Sequence, residues 1–548
     1  VKFQPTNLIG EEFMRGADVV AQTLSAAGVK TIFTLSGNQI MPVFDACIDA
    51  DIRLIHVRHE AAAVFMADAW AQLTGGVGVA LVTAAPGFAN ALGPLYTARA
   101  SESPVLLLSG DSPVAADGLG PFQELDQAAV AAPLVKAAYR PTDGVALGRD
   151  MAAALKTARS GRPGPVQVAL AFDVLNEDVV DTAVAGDLDS QPQTLEAGAL
   201  ETILETLSAA DRPLVLTGPF LNTTRSKGRL DQAANALGAP VLSLESPRGL
   251  KDPALGDLPG IFAAADAVLC LGKKVDFAVN FGRTPVFDPA CKFLVVDPEP
   301  DHLDRARNAL GDRLIGAWKA DAGPTIEALI SHGSDTKNRE DWRAKVAGAI
   351  AARVSPTEDV SPEGRIQPIA VCREVQKVLD QANDPVLVLD GGEFGQWAMA
   401  LLSAPRRLIN GPAGAIGGGI GYAIGAKANR PDATVIAVMG DGTAGFHLSE
   451  FETAVRNNLP FVAIIGNDAR WNAEYQIQLR DFGENRLIGC ELSPTRYDLA
   501  VAGLGGHGEY VTNLDQLADA LQRALASGLP ACINVEIEGL AAPAGPSQ

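Results

Sequence analysis

The 548-residue sequence has no cysteine pair at C-x-x-C spacing, no long apolar run and no excess of basic charge. Its six cysteines (Cys47, Cys270, Cys291, Cys372, Cys490, Cys532) are scattered, which argues against a zinc site or a disulfide framework. No stretch reaches the roughly 18 uninterrupted apolar residues of a membrane span. The opening VKFQPTNLIGEEFMRG carries acidic residues and lacks the apolar core of a signal peptide. Neither export nor a membrane partner is expected, and the cytoplasm is the expected compartment. With 44 basic against 65 acidic residues the formal net charge is -21, so a nucleic-acid backbone or anionic bilayer would be repelled. A small-molecule substrate is expected instead.

What is present is a recurring pattern. At roughly 150 residues per domain a chain of this length predicts about three or four domains, of which we expect three. From Thr31 to Val168, short β-branched runs (TIFTL, IRLIHV, VGVALVT, SPVLLLSG, GPVQVAL) alternate with Ala-rich helical stretches, as in a parallel sheet covered by helices. A second block repeats this with RPLVLTG, GAPVLSLE, AVLCLG and KFLVVD, and a third with PVLVLDGG, ATVIAVMGDG, PFVAIIGND and ACINVEI. Polar stretches separate the blocks: NEDVVDTAVAGDLDSQPQT, then SHGSDTKNREDW followed by SPTEDVSPEG. The expected fold is α/β, with three doubly wound, mainly parallel domains at 1–185, 190–345 and 360–548.

In the third block GDGTAG follows the apolar run ATVIAVM and precedes HLSEFETAVRN. The turn therefore lies at the carboxyl end of a strand and near a helix N-terminus, a place that binds phosphates. The letters also fit the G-x-G-x-x-G of a dinucleotide loop, yet Asp441 within the turn would repel a bare pyrophosphate. A Mg²⁺ ion reverses that sign, because it takes oxygen ligands and joins carboxylates to phosphates. A further oxygen ligand is then expected where the next strand, PFVAIIG, ends in Asn467 and Asp468. A glycine turn with a surface Asp and a dinucleotide loop are the competing readings.

GDG followed, one helix and one strand later, by an Asn-Asp pair resembles the thiamine diphosphate motif of the acetolactate synthase, benzaldehyde lyase and 2-hydroxyacyl-CoA lyase superfamily. The resemblance implies thiamine diphosphate as cofactor and Mg²⁺ held by Asp441, Asp468 and the main-chain carbonyl of Arg470, with Gly440, Gly442 and Thr443 against the diphosphate. Asp468 departs from the more common Asn, and a carboxylate is at least as good a hard ligand. RHEAAAVFMADAWAQLTG resembles the segment whose Glu hydrogen-bonds N1′ of the cofactor pyrimidine, which implies a catalytic Glu60; read alone, a Glu opening a helix is a partner of the helix dipole. VALVTAAPGFAN places Pro86, Gly87 and Asn90 near the cofactor. GPFQELDQ places Phe122 and Gln123 at the pocket, with Lys136 following. DGGEFGQWAMA resembles the loop and helix start whose backbone, at Glu393, Phe394 and Gly395, holds the diphosphate. GPAGAIGGGIGYAIGAK implies that Ile416 supports the V-shaped cofactor and that the Gly414 carbonyl and Ile416 N–H meet the pyrimidine edge. Trp397, Trp471 and Glu474 are placed at the substrate mouth.

The resemblance covers almost the whole chain and is strongest in the first and third blocks. The middle block lacks the Arg-Phe-Asp-Asp-Arg-like run of flavin-carrying members, so FAD is not favoured, and CoA recognition stays open. Members of the superfamily add the cofactor to a carbonyl and then break a bond to that carbon. Simple decarboxylases among them carry an adjacent His pair, and the six histidines here include none. Gln39, in SGNQIMPVFDA, and Gln123 can orient a hydroxyl but cannot act as bases at neutral pH. A carbon–carbon lyase or carboligase acting on 2-oxo acids, 2-hydroxy ketones or 2-hydroxyacyl thioesters is implied. Acetolactate synthase or a simple decarboxylase is the alternative; a dinucleotide-dependent oxidoreductase and a non-catalytic relative are more remote. The superfamily sets the Glu domain of one subunit against the metal domain of another, which implies a homodimer or homotetramer with active sites between subunits.

Overall fold

The computed structural model describes residues 13–180, 188, 190–333, 337–352 and 364–543. One compact unit holds the described residues up to Ser190 except Gln72–Gly75 and Ala100–Glu102; a second holds those two pieces and the described residues from Gln191 on.

The first unit is built on a six-stranded sheet in the order Arg53–His56, Thr31–Thr34, Gly78–Val82, Val105–Asp111, Val166–Ala171, Ala138–Tyr139, every pair parallel. Its inner strands are buried along their length, as a sheet covered on both faces requires. Phe13–Arg15 and Asp178–Val180 form a small antiparallel ribbon beside it, which the polar composition after Asn176 did not suggest. Residues 181–187 of that polar stretch lie outside the described residues.

The second unit holds two sheets. The five-stranded one runs Val241–Ser243, Pro213–Thr217, Ala267–Leu271, Lys292–Val296, Leu314–Trp318, all parallel. Alternate residues of these strands enter different cores: Leu214, Val268, Cys270 and Val295 one, Val215, Leu269, Leu271 and Val296 the other. That is period-two burial with helices on both faces. The six-stranded sheet runs Arg406–Ile409, Val386–Asp390, Val435–Gly440, Val462–Asn467, Ala531–Glu536, His507–Val511, again all parallel. The three parallel α/β sheets match the expected fold class.

The stretch from Ser331 to Trp342, expected as a linker, ends inside structure. Glu340–Ala351 is a helix whose Trp342 is buried and donates from Nε1 to the Pro213 carbonyl at 2.9 Å. Its charged residues hid a helix that buries Trp342 and Val346 and packs Ala349 and Ile350 against the same core. Among the described residues no helix is long and apolar enough to cross a membrane.

The two six-stranded sheets share one strand order: second, first, third, fourth, sixth, fifth along the chain. In each the winding reverses between the first and third strands. Such a reversal opens a crevice at the carboxyl ends of those strands, where doubly wound sheets bind ligands.

Candidate active site

In the first unit the crevice lies between Thr31–Thr34 and Gly78–Val82. The segments leaving these strands carry Gln39 and Thr83. Thr83 Oγ1 donates to Gln39 Oε1 at 2.8 Å, and Gln39 Nε2 donates to Gln123 Oε1 at 2.6 Å. Glu60 opens the Ala-rich helix Glu60–Thr74, is buried, and accepts a hydrogen bond from Asn90 Nδ2 at 3.0 Å. Gly87 joins the two groups: a Cβ there would stand 2.8 Å from Thr83 Cγ2 and 3.3 Å from Glu60 Oε1. The carboxyl and the amide pair therefore share one wall, and a larger residue at 87 would crowd both.

Around this wall, Pro86 is an exposed first residue of the short helix Pro86–Asn90, and Phe122 is exposed. Lys136 Nζ donates to the carbonyls of Thr157 and Ser160 at 2.5 Å each, at the end of helix Gly144–Arg159. A cation there satisfies the carbonyls that a helix C-terminus leaves open, so the ammonium serves the fold.

In the second unit the matching crevice lies between Val386–Asp390 and Val435–Gly440. The first strand delivers Asp390 and Gly391; the second delivers Gly440 and Asp441. Asp390 is buried and accepts from Asn410 Nδ2 at 2.5 Å, Gly417 N at 3.1 Å and Gly419 N at 2.6 Å. Those donors flank Ile416, so one carboxyl fastens the glycine-rich segment that carries it. Burial pushes the Asp390 carboxyl up to about 7 against the pull of these three donors.

Three segments then converge. A Cβ on Gly391, whose φ is +31°, would stand 2.4 Å from Ile416 Cγ2 and 3.0 Å from Thr443 Oγ1; one on Gly442 would stand 2.7 Å from the Trp471 ring. Both glycines are steric necessities. Helix Gly392–Leu401 begins at the same place, so the first N–H groups of its opening turn, at Glu393 to Gly395, lack intrahelical partners and face the crevice end of the sheet.

Asp441 is buried, and its Oδ2 has no hydrogen-bond partner. Burial raises its carboxyl to about 6, opposed by backbone N–H donors including those of Ala469 and Arg470. Asp468 is raised to about 7 by burial and by the charge of Asp441, with the Arg470 guanidinium opposing. A buried carboxylate with an orphaned oxygen, whose charge raises the proton affinity of the half-buried Asp468, is costly unless a cation lies beside them. Among the described residues no three or more His, Cys, Asp or Glu are grouped to hold a metal ion. A cation here would need carbonyl and phosphate oxygens as well, which is the habit of Mg²⁺. Arg470 can supply the carbonyl: its bridge to Glu491 is made by Trp471 N donating to Cys490 O and Leu492 N donating to Ala469 O, which leaves the Arg470 carbonyl out of the pairing. The donor set fits a diphosphate-bridged Mg²⁺.

The neighbours of these ligands brace the turn. Asn467, also at the strand end, donates to Thr495 O and Asn534 Oδ1 and accepts from Ala469 N. Tyr497 donates its hydroxyl to the Asp441 carbonyl at 2.9 Å. The Phe394 side chain lies in the hydrophobic core, and Glu393 is buried with Oε2 accepting from Ala542 N at 2.8 Å. Trp397, expected at the substrate mouth, is instead a core residue. Phe394, Trp397 and Ala398 stand on one helix face, a spacing that could have shown it. Trp471 is half-buried over Gly442, Glu474 is exposed, and Gly414 is exposed beside a half-buried Ile416. Thr83, Asp390 and Asn410 were missed as site residues; Thr83 and Asn410 sit just past strand ends and Asp390 is the last residue of its strand, the one signal available. At the reversal point of the five-stranded sheet, the Phe220 N–H donates to the Glu102 carboxylate at 3.1 Å.

Residues 14–130 match the family "Thiamine pyrophosphate enzyme, N-terminal TPP binding domain" and residues 390–535 match "Thiamine pyrophosphate enzyme, C-terminal TPP binding domain". The chain is 32% identical over 550 residues, 97% of both proteins, to an acetolactate synthase large subunit of Mycobacterium tuberculosis. It is 33% identical over 585 residues, 95% of this chain and 90% of the relative, to 2-hydroxyacyl-CoA lyase 2 of Bos taurus. The Homo sapiens 2-hydroxyacyl-CoA lyase 2 is 31% identical over 587 residues, with 95% and 90% covered.

Proposed function

The chain belongs to the thiamine pyrophosphate enzymes, and on that premise we propose that it is a Mg²⁺-dependent carbon–carbon lyase or carboligase acting on 2-oxo acids, 2-hydroxy ketones or 2-hydroxyacyl thioesters. Thiamine diphosphate supplies a nucleophilic carbon and an electron sink. The chain supplies the rest. Glu60, held by Asn90, shares a proton with the pyrimidine ring of the cofactor. Asp441, Asp468 and the Arg470 carbonyl hold Mg²⁺ against the diphosphate, which the N–H groups at Glu393 to Gly395 and the turn Gly440, Gly442 and Thr443 bind. Ile416, fastened through Asp390, supports the cofactor from below, with the Gly414 carbonyl at the pyrimidine edge. Active sites between subunits of a homodimer or homotetramer, a cytoplasmic location and domains near 1–185, 190–345 and 360–548 complete the proposal.

The observation that supports a lyase or carboligase over a simple decarboxylase is the amide pair beside Glu60. Gln39 and Gln123 are hydrogen-bonded to each other, with Thr83 closing the set. Amides orient a hydroxyl or carbonyl and do not donate a proton at neutral pH, so proton transfer to the reacting carbon is disfavoured and a second carbonyl can be met instead. Acetolactate synthase, the named activity of one relative, is the second reading, favoured by the Phe-Gln-Glu stretch at 122–124. Product analysis of a 2-oxo acid reaction tests the proposal. Acyloin-type ligation product should exceed free aldehyde, and Gln39→His should move the ratio towards aldehyde. Since two exits from one branch point differ by about 1.4 kcal/mol per tenfold in product ratio, dominant aldehyde from the wild type would return the protein to the decarboxylases.

A further inference from the structure

Of the six histidines, all among the described residues, His447 alone is buried. It lies in the segment between the turn Asp441–Ala444 and helix Glu450–Arg456. Burying an imidazole is costly unless its ring nitrogens find partners. His447 Nδ1 stands 2.7 Å from the Gly417 carbonyl. A carbonyl oxygen only accepts, so Nδ1 carries the proton and donates it.

Gly417 follows Ile416 and is held through both of its backbone polar groups. Its N–H donates to Asp390 Oδ2 at 3.1 Å, and its carbonyl accepts from His447. The first bond ties the glycine-rich segment to the strand ending in Asp390; the second ties it to the segment that leaves the turn of Asp441. Packing follows the same route. A Cβ on Gly417, whose φ is +93°, would stand 2.6 Å from Phe446 Cγ. The Phe446 ring meets Trp471 edge to face with centroids 6.1 Å apart, and Trp471 lies over Gly442. Phe446 and His447 thus reach from one segment to the other. Ring packing alone would let the two slide past each other, whereas a hydrogen bond with a directed donor sets their register.

We infer that His447 is a positioning residue for the pyrimidine half of the cofactor, fixing the segment of Gly414 and Ile416 in register with the turn of Asp441. This rests on the reading under Proposed function and deepens it. The turn itself holds the metal and the diphosphate, so loss of the bond is felt at the pyrimidine end. Removing the donor also leaves the carbonyl of the buried Gly417 without it, a loss that the folded segment meets by shifting.

The test is calorimetric titration of cofactor-free protein in saturating Mg²⁺ with two probes: thiamine diphosphate, which spans both halves of the site, and inorganic pyrophosphate, which has no pyrimidine. His447→Leu keeps bulk and removes the donor. His447→Asn keeps an N–H donor at the same number of bonds from Cα. The leucine variant should bind thiamine diphosphate about tenfold more weakly than wild type, the scale of one lost hydrogen bond, with pyrophosphate affinity unchanged, and the asparagine variant should recover most of the loss. If the leucine variant does not fold, His447→Gln, whose donor lies one bond further out, takes its place in the same comparison. The inference is overturned if the donor-removing variant binds thiamine diphosphate as wild type does, if both probes weaken by the same factor, which would assign His447 to the turn, or if His447→Asn recovers nothing. Failure of the broader reading shows separately, as a wild type that binds neither probe.

Discussion

Replacing Asp390 with asparagine keeps the size of the side chain and removes one ionisable group from beneath the glycine-rich segment. In the folded protein its carboxyl is raised from 3.8 to about 7, chiefly by burial. Folding therefore favours the protonated form. The resulting stabilisation relative to the ionised group is full below the unfolded value and is lost as pH rises through about 7. Three pKa units at about 1.4 kcal/mol each give a swing of about 4 kcal/mol between pH 4 and pH 8. Asparagine has no such linkage. It also offers one acceptor oxygen where Asp390 serves Asn410, Gly417 and Gly419 with two, so at least one buried donor loses its partner, at about 1–3 kcal/mol. Wild type should exceed Asp390→Asn in thermal midpoint at pH 5, and the difference should shrink steadily to pH 8. Scanning calorimetry of both cofactor-free proteins across that range is the assay. A difference that stays constant with pH would refute the raised pKa and with it the claim that a buried charge underlies the segment carrying Ile416.

Two further substitutions probe the two crevices. Glu60→Gln should retain thiamine diphosphate but lose most exchange of the cofactor C2 proton followed by NMR, since an amide cannot share a proton with the pyrimidine as a carboxyl does; unchanged exchange removes Glu60 from this role. Gly442→Ala places a Cβ 2.7 Å from the Trp471 ring, and overpacking of that kind costs about 1–3 kcal/mol. Its thermal midpoint and cofactor affinity should both fall, and if neither moves, the ring yields freely and the turn is not set by that contact.

Much of this arrangement is legible in the sequence because strand ends are legible. Buried parallel strands read as continuous apolar runs, and the residue after such a run lies at the crevice end of the sheet, which is how Asp441 and Asp468 stand out. Glu60 and Glu393 stand out only through the family resemblance, since a Glu in the first turn of a helix reads alone as a partner of the helix dipole. Thr83 and Asp390 also stand at strand ends but are recognised only through their partners, which lie far along the chain: Gln39 for the one, Asn410, Gly417 and Gly419 for the other. Trp397 misled because an aromatic near a glycine turn reads alike whether it faces core or cleft. Helix Glu340–Ala351 was hidden by its charges, since its packing face is short: Trp342, Val346, Ala349 and Ile350.

The central claim is that Asp441 and Asp468 hold a divalent cation against the diphosphate of thiamine diphosphate. Calorimetric titration of cofactor-free protein with thiamine diphosphate, with and without Mg²⁺, for wild type, Asp441→Ala and Asp468→Asn, tests it most directly. The account predicts Mg²⁺-dependent binding by wild type, none by Asp441→Ala, and a much milder loss in Asp468→Asn, where an amide oxygen remains available as ligand. Binding that is indifferent to Mg²⁺, or an Asp441→Ala protein that binds thiamine diphosphate as wild type does, would contradict it.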